Sequence, residues 1–270
     1  MPMLSRLAHA IIVPLTALFG SLTPRPVEHV ALYLEDRRRP MTGADYQRFS
    51  GAGVLFCRDD DGVPQKAAAS WLIGSRTLVM MNAHNFLDRQ AKMTRTIGSC
   101  YFQIAGKNYD FDPDSLQLGI DSNATALHIT DDWALARLHQ PVDITVLPQP
   151  IPSAPQLASG LKDTKVTMVS PAGHANFTGP GSGPSSIESC MIREIDLPTE
   201  DAIRRARHDC NDGFGGSGSG LFDEAGHLLA MQSASLDMNR RIAFDIELHY
   251  GSALLIEGKL LKAIVAASSR

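Results

Sequence analysis

Beyond its first two dozen residues this chain has no long apolar run; each run is short and closes on Gly, Pro, Asp, Asn or Ser. Ala67–Ile73 and Thr77–Met81 are divided by Gly74-Ser75. Gly53–Cys57 is followed by Asp59-Asp60-Asp61-Gly62, a composition suited to a hairpin turn. Further strand-like runs are Tyr101–Ile104, Ala126–Ile129, Trp133–Leu138, Lys165–Val169, Ser189–Ile195, Leu228–Ser233 and Ile242–Ile246, with Val27–Leu34 as a strand or an extended arm. One segment reads as helix: Leu254, Leu255, Leu260, Leu261, Ile264 and Val265 recur at helical spacing, with Lys259 and Lys262 off that face. With 22 glycines and 16 prolines spread along 270 residues, the pattern predicts an all-β chain of antiparallel barrel architecture with a C-terminal α-helix.

The ends and the joints read separately. Residues 1–23 hold Arg6 and then a nearly uncharged stretch from Leu7 to Leu22, interrupted by Pro14. That length suits the apolar region of a signal peptide better than a membrane span; a buried helix or an uncleaved tether is the alternative. Residues 24–44 form an N-terminal arm or propeptide, with Arg37-Arg38-Arg39 as either a cleavage site or a plain solvated loop. Pro141 to Pro155 carries five prolines and reads as a connection between two halves, 45–140 and 156–270. Thr178 to Ser186 reads as a surface loop.

Composition narrows the class of function. Hydrophobic residues at 44% and charged residues at 20% exclude a disordered chain. A net charge of −4 argues against nucleic acid as a partner. The four cysteines, at 57, 100, 190 and 210, contain no C-x-x-C, so zinc-ribbon and thioredoxin spacings are absent. An even number in an exported chain suggests two disulfides. Of the three possible pairings, Cys57–Cys100 with Cys190–Cys210 is favoured because each closes within its own half. Four buried thiols are the alternative in a reducing compartment.

The richest segment is Asp209 to Phe222, with five glycines between 213 and 220. A phosphate loop of the G-x-x-x-x-G-K-[ST] type needs a lysine that the segment lacks. A dinucleotide loop needs a following helix, whereas Asp223 to Gly226 reads as a turn. A glycine-held serine, Ser217, with backbone N–H groups aimed at a developing oxyanion, remains. Serine is a weak nucleophile until a base takes its proton. His84, at the end of two apolar strands, is a candidate base or a satisfied core histidine. Asp132, leading into Trp133-Ala134-Leu135, is a candidate carboxylate or a strand-end cap.

Together these segments resemble the trypsin-like, chymotrypsin-fold serine proteases, in particular the bacterial branch that includes glutamyl endopeptidases. Met81-Asn82-Ala83-His84 is similar to T-A-A-H, Asp132-Trp133-Ala134-Leu135 to D-[IW]-A-L, and Gly215-Gly216-Ser217-Gly218-Ser219-Gly220 to G-[DN]-S-G-[GS]-P. The chain order His, Asp, Ser is the chymotrypsin order. The resemblance covers residues 45 to 266 and implies two antiparallel six-stranded β-barrels, N-terminal and C-terminal. It implies His84 as general base, Asp132 as its orienting carboxylate and Ser217 as nucleophile, with the N–H groups of Gly215 and Ser217 as oxyanion hole. It places Cys190–Cys210 beside the nucleophile loop, and Ser233 on the strand that binds substrate backbone.

The departures are informative. Asn82 stands where the family has a small residue, and Gly220 where proline is common. Asn211 stands where trypsin has its pocket aspartate, and Gln232 where glutamyl endopeptidases have a histidine. A neutral pocket for small or apolar side chains is therefore expected; a peptide-library profile dominated by Arg or Glu would overturn it. The functional expectation is a monomeric, secreted or periplasmic serine endopeptidase acting on protein or peptide substrates. It is expected to need no cofactor and no metal, and to have no stable membrane insertion once the leader is gone. The competing readings are a protease-fold binding protein without turnover and an esterase of the same fold.

Overall fold

The computed structural model describes residues 32–153, 160–173, 185–213, 215–235 and 241–269. An N-terminal arm carries two short strands, β1 (Leu32–Tyr33) and β2 (Arg39–Pro40), and is followed by helix α1 (Gly43–Arg48). Seven strands then form one antiparallel sheet: β3 (Ala52–Arg58), β4 (Pro64–Leu72), β5 (Leu78–Met81), β6 (Cys100–Ile104), β7 (Lys107–Asp110), β8 (Gln117–Leu118) and β9 (Ala134–Arg137). The second set comprises β10 (Thr164–Ser170), β11 (Ser186–Ile195), β12 (Arg205–His208), β13 (Gly220–Phe222), β14 (Leu228–Ser235), β15 (Arg241–Ile242) and β16 (Gly251–Leu255), and ends in helix α2 (Gly258–Ser268).

The two sheets curl differently. The first runs β7-β6-β3-β4-β5-β9-β8, and a bridge between Phe111 and Leu138 draws its β7 end towards β9. The second runs β10-β13-β14-β16-β12-β11, and pairing of β10 with β11 closes it into a six-stranded barrel. Closure pairs the two outer strands of this sheet with each other. β2 adds to the outside of β11, and β1 pairs in parallel with β15. Among the described residues no helix is long and apolar enough to cross a membrane.

Period-two alternation explains why several strands are apolar throughout. In β5, Val79 and Met81 point into the first sheet's own core, while Leu78 and Met80 enter a layer between the two sheets. β9 does the same, with Ala134 and Ala136 inside and Leu135 in the shared layer. Trp71, Trp133 and Phe222 fill that layer, the Trp71 and Phe222 rings meeting edge-on at 5.0 Å. Leu260 and Ile264 of α2 close it from the side. The expected hairpin turn joins β3 to β4: Asp59 Oδ1 accepts from the N–H groups of Asp61 and Val63, and Gly62 takes a φ of +77°.

Some expectations change. Ala126–Ile129 is not a strand but irregular chain leading into a 3-10 turn at Ile129–Asp131. Both sides of β9 are already taken, by β5 and β8, so no ladder is open to it. Leu254 and Leu255 belong to β16 rather than the helix, because β12 and β14 pair with that segment on both sides. They face opposite cores, as strand neighbours must. Of Ile242–Ile246 only Ile242 lies in a strand, and Asp245 forms an isolated bridge with His249. Arg39–Pro40, within the expected charged loop, is a short strand. Residues 27–31 of the expected arm and 178–184 of the expected loop lie outside the described residues. Both favoured disulfides are present. Cys57 and Cys100 face each other across β3 and β6, and Cys190 of β11 reaches Cys210 just after β12, with Cα separations of 4.0 and 5.0 Å.

Candidate active site

β5 ends at Met81, and the chain turns at once into a 3-10 turn, Ala83–Asn85. That turn lifts His84 out of the apolar layer, leaving its side chain one-third exposed. The 3-10 turn Ile129–Asp131 delivers Asp132 beside it, anchored by the wholly buried Trp133. His84 contacts both carboxylate oxygens: its backbone N–H donates to Asp132 Oδ1 at 2.8 Å, and Nδ1 meets Oδ2 at 2.7 Å. With a carboxylate as acceptor, Nδ1 carries the proton and Nε2 presents its lone pair. The Ser233 hydroxyl and Asn82 Nδ2 also donate to Asp132 Oδ2. Ser233, expected on a substrate-binding strand, thus spends its hydroxyl on the buried carboxylate.

The glycine segment forms a tight loop pinned to both sheets. Ala69 N–H of β4 donates to Ser217 O, and Trp71 Nε1 donates to Gly218 O, each at 2.8 Å. From the second barrel, Gly218 N–H donates to Gln232 O and Gln232 N–H to Ser219 O. Two glycines are required by close approach. A Cβ on Gly216 would fall 1.4 Å from Asp212 Oδ1, and one on Gly218, at φ +80°, would fall 2.0 Å from Ala69 O. Within the loop, Gly216 N–H donates to Gly213 O and Ser219 N–H to Gly216 O. Among the described residues these bonds engage the N–H groups of Gly216, Gly218 and Ser219 and leave those of Gly215 and Ser217 out of the backbone network. Ser217 is half-buried, whereas its glycine neighbours are buried.

Gln232, expected in a substrate pocket, instead joins a buried polar chain between His208 and Asp212. Burial pushes the His208 imidazole down to about 4, so the ring is neutral at physiological pH. Its Nδ1 accepts from Cys210 N–H at 3.3 Å, so Nε2 carries the proton and donates to Gln232 Oε1 at 2.6 Å. Gln232 Nε2 in turn donates to Asp212 Oδ2 at 2.6 Å and to Ala234 O at 2.9 Å. Asn211 faces the other way. Its Oδ1 accepts from Tyr33 N–H of the arm, and its Nδ2 donates to Glu35 O and to Glu188 Oε1. Asn211 therefore ties the arm and β11 to the start of the glycine loop. His208 and Glu188 look like ordinary strand residues in the sequence, and only their burial marks them.

A cavity of about 790 Å³ is lined by Leu127, His128 and Asp131 from the segment before Asp132 and by Asp196, Leu197 and Arg205 from the segment around β11 and β12; Asp132 itself does not line it. Among the described residues, no group of three or more His, Cys, Asp or Glu side chains is arranged to hold a metal ion.

No protein-family model matches the chain, and no curated protein matches its sequence. Solved structures do match its shape. A structure of a Glu endopeptidase in complex with MPD superimposes with a TM-score of 0.62, covering 88% of this chain and 100% of that chain at 12% sequence identity. At that identity the likeness is one of architecture: the chain has the two-barrel fold of the chymotrypsin-like serine proteases.

Proposed function

We propose that this chain is an exported serine endopeptidase working through His84, Asp132 and Ser217. The observation that supports it most is the double hydrogen bond from His84 to Asp132, 48 residues away in sequence, beside the glycine loop that bears Ser217. In the proposed reaction His84 Nε2 takes the Ser217 hydroxyl proton as Oγ bonds to the scissile carbonyl carbon. The carbonyl π pair moves onto oxygen, where the N–H groups of Gly215 and Ser217 receive it. His84 then gives the proton to the leaving amine, and water repeats the sequence on the acyl-enzyme. Asp132 keeps the imidazole in the required tautomer and stabilises its charged form. Two disulfides fit an oxidising, extracytoplasmic compartment, in keeping with a removed leader at 1–23.

The test is labelling of purified protein with a fluorophosphonate probe, the adduct located by mass spectrometry. The expected result is an adduct on Ser217, absent in Ser217→Ala and at least a hundredfold slower in His84→Ala, given ~10²–10⁴-fold for general base catalysis. A folded protein that takes no adduct, either as purified or after limited proteolysis near Arg39 to release a latent zymogen, would overturn the reading in favour of a protease-fold binding protein.

A further inference from the structure

We propose that Asn82 is a positioning residue of this site: its side-chain amide holds the Asp132 carboxylate in place beside the loop that carries Ser217. The inference rests on the His84–Asp132–Ser217 reading above and adds a group to it. Asn82 follows directly on the wholly apolar β5 and is completely buried. A buried amide at the end of such a strand is costly unless its polar atoms are used.

The use is specific. Asn82 Nδ2 donates to Asp132 O at 3.1 Å and to Asp132 Oδ2 at 3.3 Å. Both partners are acceptors, so the amide has one sensible orientation; flipped, its oxygen would oppose a carboxylate and a carbonyl. The backbone carbonyl of Asn82 accepts from Asn85 Nδ2 at 3.0 Å, which fixes the turn bearing His84. Asn82 Oδ1 is buried with no hydrogen-bond partner among the described residues, and lies 3.3 Å from where a Gly218 Cβ would stand. One side chain thus bonds the acid through its Nδ2 and turns its Oδ1 towards Gly218, the neighbour of Ser217.

The chemical consequence concerns charge. Asp132 Oδ2 takes donors from His84, Ser233 and Asn82, and Oδ1 takes one from His84 N–H. Every donor other than His84 draws carboxylate charge away from the imidazole and disfavours its charged form. Removing the Asn82 donor should therefore let His84 hold a proton more tightly while loosening the carboxylate. Titratable and charged groups on the neighbouring segments are Asp88 and Arg89 after His84, His128 and Asp131 before Asp132, Asp212 at the glycine loop, and Arg95, whose guanidinium caps Asn85 O at 3.1 Å.

The experiment compares the full chain with Asn82→Ala and the near-isosteric Asn82→Leu. Two readouts are taken: the NMR titration of His84, and the rate and pH dependence of fluorophosphonate labelling at Ser217. Both variants are expected to raise the His84 midpoint by about half a pH unit and to slow labelling by roughly tenfold, the scale of one lost hydrogen bond. Asn82→Asp, which sets a second carboxylate beside Asp132, is expected to raise the midpoint further. If a folded Ala or Leu variant keeps the wild-type midpoint and labels within twofold of wild type, the proposal is overturned, whatever happens to its thermal stability. If wild type does not label but the variants still shift the His84 titration, Asn82 keeps its positioning role and the protease reading fails instead.

Discussion

Glu188 and His208 are both buried in the barrel wall near the glycine loop, and burial moves them in opposite directions. Glu188 is pushed up to about 7 by burial, against the hydrogen bonds from Asn211 and the charge of Arg37. Its folded value lies above its ordinary 4.5, so its stabilising contribution is complete at acid pH and is lost as pH rises through 7. His208 lies below its ordinary 6.5, so the fold binds a proton less readily than the unfolded chain and loses stability as pH falls from 6.5 towards 4. The two slopes offset each other between these values in the wild type. Urea unfolding of wild type and Glu188→Gln across pH 4.5 to 8 should separate them. The wild-type stability should fall relative to the variant by about 3 kcal/mol over that range. A pH-independent difference would show that Glu188 is not the titrating group. Single residues were unevenly legible. His84, Asp132 and Ser217 stood out because each sits in a short local pattern. Asn82 appeared only as a departure from one, and Glu188 and His208 carried no local signal at all.

At the level of elements, the disulfides divide the work. Cys57–Cys100 staples the neighbouring strands β3 and β6, neither of which bonds the loop through its backbone, whereas Cys210 immediately precedes Asn211 and the glycines. Chain-entropy arguments assign each about 3 to 4 kcal/mol for loops of these lengths. The paired variant Cys57→Ala/Cys100→Ala is therefore expected to lower Tm while Ser217 labels at a near-normal rate. Cys190→Ala/Cys210→Ala should lower Tm to a similar degree and slow labelling as well. Equal labelling rates in the two variants would remove the link between Cys190–Cys210 and the loop. Elements were readable wherever turn chemistry bounded them, as at Asp59–Gly62 and Gly74-Ser75. They were misread where a short apolar run fits two periods. Leu254 and Leu255 match the helical spacing of α2 and the alternation of β16 equally well, and ladder bonds from β12 and β14 settle the matter. Ala126–Ile129 has strand composition but no free neighbour to pair with.

Across the whole molecule, the site is a property of two sheets held against each other. The loop bearing Ser217 bonds to β4 of one and β14 of the other, so neither sheet alone completes it. The arm adds a third tie. Tyr33 pairs with Ile242 and bonds Asn211, its ring meets Phe244 at 5.5 Å, and Arg39–Pro40 extends β11. We propose that residues 32–40 stay with the active protein as a structural arm rather than leave as a propeptide. N-terminal sequencing of active material is expected to find a start near Ser21 to Pro24. A start between Arg38 and Met41 would show instead that the arm is cut away. The sequence by itself determined what depends on near neighbours: the all-β character, the hairpin turns, the glycine loop and the three motifs, because strand period and turn chemistry act over a few residues. The tertiary structure alone decided which distant groups meet: Asp132 on His84, Asn82 between acid and loop, and the arm on Asn211, 178 residues away. Those contacts follow from sheet register and barrel closure, which set side-chain neighbours across the ladder and leave no trace in the local order of residues.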